Sequence, residues 1–120
     1  MERTKARSYR DLVLWQRAIQ ICVAVYRFTG SFPREEIYGL TSQLRRASVS
    51  VPSNIAEGYG RLSRDQYRHF LGIANGSNLE LQTQLVIAKQ LGFGNPRESE
   101  AIEQMSFEVG KMLTTMLRKL

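Results

Sequence analysis

The side chains best suited to chemistry in this sequence are its arginines, which make up 13 of the 17 basic residues. The planar guanidinium fork meets phosphates and carboxylates in bidentate fashion, which a lysine ammonium cannot do. Arg45 and Arg46 are adjacent. Arg61, Arg64 and Arg68 step by three and four, so one helical face carries all three if the helix begins early. Tyr59 and Tyr67 interleave with them, as a stacking surface for single-stranded nucleic acid requires. Glu57 to Arg61 and Asp65 to Arg68 are equally spaced for structural ion pairs. Phosphate contact and structural pairing are both open for these arginines.

Other reactive groups point away from catalysis. His69 and Cys22 are the only residues of their kinds, and neither has a second soft ligand at metal spacing. A di-iron bundle needs paired Glu-x-x-His motifs, which the sequence lacks. Glu57 and Glu80 could meet inside a bundle and do acid–base work, although pairing with arginines or amides is the simpler reading. Gly58-Tyr59-Gly60 and Gly92-Phe93-Gly94 follow no strand and carry no P-loop lysine, so they read as helix stops. The expectation is a non-catalytic protein with no catalytic residues, no metal and no cofactor.

The elements that position these residues follow from apolar periodicity. The pattern predicts an all-α, antiparallel up-down-up-down four-helix bundle over residues 11–120, behind a basic flexible arm over residues 1–10. The first helix is expected from an Asp11 N-cap to Thr29, with Leu12, Trp15, Ile19, Cys22 and Tyr26 on its core face. From Leu12 to Thr29, 13 of 18 residues are apolar, more than the roughly three in seven that one buried face uses. The surplus residues Val13, Leu14, Ile21, Val25 and Phe28 are therefore candidates for an interface between copies. The second helix is expected over residues 39–58, its core stripe being Leu40, Leu44, Ala47, Val51 and Ile55. Pro52 should kink it, since proline cannot donate to the Ser48 carbonyl. A break at Val51 is the alternative.

Ser63-Arg64-Asp65-Gln66 reads as a capping box, opening a third helix that Gly92 ends in the left-handed conformation. Its stripe is Tyr67, Phe70/Leu71, Ala74, Asn78, Leu81, Leu85 and Ala88. Ile73, Val86 and Ile87 fall off it, and Ile73 and Ile87 join the interface candidates. Gly72 and Gly76 suggest close approach of a neighbour. Asn95-Pro96 starts a fourth helix, which carries Ile102, Met105, Val109, Met112/Leu113 and Met116/Leu117 and closes on Arg118 and Lys119 at its negative end.

Formal net charge is +6. Residues 1–68 hold 12 Lys/Arg against 6 Asp/Glu, and the remainder is balanced at 5 and 5. Such an asymmetry suggests an anionic partner, most commonly nucleic acid, and fits a merely solvated basic surface equally well. No signal peptide, membrane span or disulfide framework is legible, and a cytoplasmic location is expected.

Several strings, taken together, resemble one family. They are Tyr9-Arg10-Asp11-Leu12 with Trp15-Gln16, the run Tyr38 to Ala47, Pro52-Ser53-Asn54-Ile55-Ala56-Glu57-Gly58, and Glu80 to Leu85. Over about residues 9–117 the chain resembles the bacterial four-helix bundle family associated with intervening sequences in 23S rRNA genes. A related branch is the accessory protein of diversity-generating retroelements, which works with a reverse transcriptase. The resemblance implies a ring-like homopentamer with a basic surface for nucleic acid. The candidate contacts are Arg45, Arg46, Arg61, Arg64 and Arg68, with Arg3, Lys5 and Arg7 of the arm. The expected partners are copies of the chain, RNA or DNA with RNA favoured, and a nucleic-acid-handling protein. A protein–protein adaptor with no nucleic-acid role is the alternative.

Overall fold

A computed structural model describes residues 8–120. The described residues form α1 (Val13–Thr29), α2 (Leu40–Tyr59), α3 (Arg64–Leu91) and α4 (Pro96–Lys119), with 3-10 turns at Tyr9–Asp11 and Arg34–Tyr38 and no strand. Each helix packs against two others: α1 on α2 and α4, and α3 likewise on α2 and α4. The result is a bundle measuring 50 × 28 × 21 Å.

Local chemistry sets most of the boundaries. Ser63 Oγ accepts from the Gln66 N–H at 3.0 Å, and Asn95 Oδ1 accepts from Arg97 N at 2.8 Å. Each satisfies an orphan donor of a first turn. Gly92 takes φ 73°, the left-handed conformation glycine adopts at no steric cost. The first helix departs from expectation. Asp11 lies in the 3-10 turn capped by Ser8, and Leu12 precedes α1 with no side-chain cap. Tyr9 and Arg10, assigned to the arm, are tied to α1: the Tyr9 ring meets Trp15 edge-on at 5.1 Å, and Gln16 Nε2 donates to the Arg10 carbonyl at 2.8 Å.

The core stripes of α2 and α3 are the expected ones. Leu40, Leu44, Ala47, Val51 and Ile55 are buried on α2, and Leu71, Ala74, Asn78, Leu81, Leu85 and Ala88 on α3. Helix α2 runs unbroken through Pro52, so the two-helix alternative at Val51 is not what forms.

On α1 the expected stripes are exchanged. Leu14, Ala18, Ile21, Val25 and Phe28 are at most 2% exposed and form the core, whereas Leu12, Trp15, Ile19 and Cys22 are half-buried and Tyr26 is exposed. Leu14, Ile21, Val25 and Phe28, expected between copies, are consumed by the chain's own interior. Of the interface candidates only Val13, Ile73 and Ile87 remain exposed. A helix apolar on most sides offers two stripes one residue apart, and the placement of α2 and α4 selects between them. The expected approach of a neighbour to Gly72 and Gly76 does not occur within the chain, since a Cβ at either would meet nothing within 4 Å.

One polar knot lies inside the bundle. Asn78 is fully buried; its Nδ2 donates to the Ser106 carbonyl at 3.0 Å, and its Oδ1 accepts from Ser106 Oγ at 2.7 Å. Both halves of the amide are matched, which removes the cost of burying it and fixes the register of α3 on α4.

Candidate nucleic-acid interface

The structure divides the candidate arginines into two groups. Arg45 and Arg46 lie in the first half of α2, against α1. Arg45 Nε donates to Thr29 Oγ1 at 2.9 Å, and its guanidinium lies 4.7 Å from the centroid of the Tyr26 ring. Those contacts fix Arg45 in a packing role that needs no acid. Arg46 is exposed and makes no ion pair with any described residue. The two arginines border a shallow cavity of about 550 Å³ with Ile37, Thr41, Ser42 and Val49.

The second group gathers where α2 ends, α3 begins and α4 ends. Arg61 pairs with Glu57 at 2.5 Å and lies 4.8 Å from the Phe70 ring centroid. Arg68 Nη1 donates to the Leu117 carbonyl at 2.6 Å, filling one of the orphan acceptors at the end of α4. Arg64 is the first residue of α3 and is exposed without an ion pair. Since α3 begins only at Arg64, Arg61 stands outside it and the three do not share one helical stripe. The expected Asp65–Arg68 pair is not among the ion pairs of the described residues. Arg3, Lys5 and Arg7 lie outside the described residues.

Tyr59 and Tyr67 meet edge-on at 6.3 Å in the seam between α2 and α3, where burial, and secondarily Tyr59, pushes the Tyr67 phenol above its ordinary range. They serve packing rather than an open stacking platform. Gly58 makes that seam possible, because a Cβ there would come within 2.9 Å of Phe70 Cβ. Glu57 and Glu80 do not meet in the interior. Both are exposed, and Glu80 accepts from Gln84 Nε2 at 3.1 Å.

The fold adds cations that the sequence had assigned elsewhere. Arg118 and Lys119, read as partners of the α4 dipole, follow directly on the Leu117 carbonyl that Arg68 holds. Arg10, read as part of the arm, stands in the 3-10 turn ahead of α1, and that turn packs on α2. That Arg118 and Lys119 adjoin a carbonyl held from α3, and that the turn carrying Arg10 packs on α2, has no local signature, since it depends on which helix ends meet. Among the described residues no group of His, Cys, Asp and Glu could hold a metal ion, and no helix is long and apolar enough to cross a membrane.

The protein family described as 23S rRNA-intervening sequence protein matches residues 10–115. The fold is similar to a crystal structure of a protein of unknown function from the S23 ribosomal protein family of Bacteroides thetaiotaomicron. The TM-score is 0.79 at 21% identity, covering 88% of this chain and 98% of that one. No curated protein matches the chain.

Proposed function

The chain belongs to the 23S rRNA-intervening sequence protein family, and from that premise we propose that it is a non-catalytic, homo-oligomeric bundle that binds RNA. The observation that carries this reading is the collection of Arg10, Arg61, Arg64, Arg68, Arg118 and Lys119 around one end of the bundle. Only Arg61 of these six takes part in an ion pair among the described residues. A field of like charge raises the local concentration of a polyanion and speeds its capture.

The helix order is read as up-down-up-down. Arg45 near the start of α2 meets Thr29 at the end of α1, Ser50 meets Ser77 across α2 and α3, and Arg68 near the start of α3 meets Leu117 at the end of α4. Pro52 is read as a kink, for want of an N–H toward the Ser48 carbonyl. The family resemblance supplies the pentameric ring, in which five copies each bring a formal charge of +6. Val13, Ile73 and Ile87 are 53, 39 and 44% exposed and would be covered there. The cytoplasm is the compartment this function requires.

The test is anisotropy of a labelled structured RNA. Affinity should fall by about a thousandfold between about 50 and 200 mM salt, and Arg64→Gln should weaken it while leaving the thermal transition in place. No binding of RNA or DNA at low salt would refute the reading. A partner captured from lysate after nuclease treatment, with no nucleic acid bound, would favour the adaptor alternative. Light scattering that reports a monomer at micromolar concentration would remove the oligomer.

A further inference from the structure

The basic end opens onto a groove between α3 and α4, a cavity of about 610 Å³ whose lining includes Leu79 and Phe107 in one part and Lys111, Thr114 and Arg118 in another. None of the sequence candidates lies in it. Leu79 is 54% exposed and Phe107 44% exposed, so two large apolar surfaces face solvent on opposite walls. Phe107, Lys111, Thr114 and Arg118 recur at spacings of four, three and four, which places them along one face of α4. Lys111 and Arg118 are two turns apart, ~10 Å along the axis.

The electrostatics of this groove are of one sign. No acidic residue lines it. Glu108, the acid nearest Lys111 on α4, is engaged by Arg17 of α1 at 2.9 Å. Lys111 and Arg118 form no ion pair with any described residue. A ligand that fits presents a flat apolar face to Phe107 and Leu79 and repeated negative charges to Lys111 and Arg118. A nucleic-acid strand with unpaired bases has that alternation, because every base has a π-face and every linkage a phosphate. A duplex keeps all but its terminal base faces inside the stack and cannot lay an internal base on Phe107 while its backbone runs along the groove.

We propose that the α3–α4 groove holds an unpaired stretch of nucleic acid, one base resting on Phe107 and the backbone running over Lys111 and Arg118 toward the basic end. This rests on the nucleic-acid reading above and adds to it a site and a preference for single strands. Arg68, held on the Leu117 carbonyl, stands at the junction of groove and end.

The experiment compares the full chain with Phe107→Ala, with the double variant Lys111→Gln/Arg118→Gln, and with Arg64→Gln. The probes are a fluorescein-labelled oligouridine of about 12 nucleotides and a blunt RNA duplex, with circular dichroism as the check on folding. Phe107→Ala should weaken oligouridine binding about tenfold, leaving duplex binding and the salt slope unchanged. The double variant should weaken it further and flatten the slope of log affinity against log salt by about 1.4, the single-strand value for two lost phosphate contacts. If neither groove variant alters oligouridine binding while Arg64→Gln weakens both probes, the groove is not the site, although RNA binding stands. If no variant and no parent chain binds either probe at low salt, both readings fail together. Tighter binding of a labelled polyglutamate peptide than of oligouridine, lost in the same groove variants, would overturn the proposal in favour of an acidic protein segment.

Discussion

The two ends of the bundle are built on opposite principles. Where α1 and α3 finish, Phe28 meets Phe32 edge-on and Phe32 meets Phe93 at a tilt, with centroids 5.1 and 5.6 Å apart, and Gly94 closes against Phe28 and Phe32. Charges of both signs are mixed there, Arg27, Arg34, Arg45, Arg46, Lys89 and Arg97 standing beside Glu35, Glu36, Glu98 and Glu100. Where α2 and α4 finish, Arg10, Arg61, Arg64, Arg68, Arg118 and Lys119 outnumber Asp11, Glu57 and Asp65, and Leu62 projects fully into solvent. One end is sealed by apolar contact and the other is left open and cationic. On the reading proposed above, stability and recognition fall to separate parts of a small molecule, so a change at one end should leave the other's property intact.

The largest effect should come from the aromatic end. At φ 78° a Cβ on Gly94 would stand 2.4 Å from Phe28 Cε1 and 2.9 Å from Phe32 Cε1, with rigid rings that cannot swing aside. Gly94→Ala should cost about 3 kcal/mol in a urea melt, the sum of backbone strain and overpacking. RNA affinity of the folded fraction should not change. A near-neutral result would mean that the aromatic end is looser than its geometry indicates.

Gly58 sharpens the comparison, because it is a packing feature beside the basic end. A Cβ there would meet Phe70 Cβ at 2.9 Å and Tyr67 Cδ1 at 3.0 Å, so Gly58→Ala should destabilise by about 2 kcal/mol. By splaying α2 from α3 it should also disturb the seat of Arg61 over Phe70, and RNA binding should weaken with stability. Loss of stability alone would show that the cations work independently of that seam.

A smaller change is expected at Arg68, which holds the Leu117 carbonyl and on the proposed reading also meets RNA. Arg68→Gln removes the hydrogen bond to the Leu117 carbonyl and should cost about 0.5–1 kcal/mol, solvent being able to replace part of it. Its contribution to RNA affinity should be read from the salt slope. The smallest effect is a pH dependence. Tyr67 has its phenol raised in the fold, so the folded state holds a proton that the unfolded chain releases first. Its contribution to stability is complete below about pH 10 and is lost as pH rises above the unfolded value. Tyr67→Phe should flatten the fall in stability on the alkaline side, as followed by thermal melts from neutral pH upward.

Much of the fold was legible because its signals are local. Ser63, Asn95 and Gly92 act within a few residues of themselves, and the apolar spacing of α2 and α3 marks one main core stripe on each. The candidate site was less so. Arg45 was open between an anion contact and a structural pair, and it is held by Tyr26 and Thr29 on another helix. Tyr59 and Tyr67 looked like a stacking surface and are instead a packed seam. Arg118 and Lys119 stand in the last turn of α4 as expected, and they follow a Leu117 carbonyl that Arg68 of α3 holds. In each case the local pattern gave the side chain's chemistry and left open what it faces.

The sequence by itself determined the four helices of the described residues, where three of them start or stop, which stripe of α2 and α3 is dry, and that the first half of the chain is basic. Those properties arise from backbone capping, 3.6-residue periodicity and charge, all of which act over a turn or two. The tertiary structure decided which of two stripes on α1 enters the core, which arginines are spent on carbonyls and rings, and which helix ends share the cationic face. It also opened the groove between Leu79 and Phe107, whose walls come from residues 28 positions apart. A helix that is apolar on most sides, or a guanidinium that can reach several partners, is ambiguous until its neighbours occupy the competing contacts.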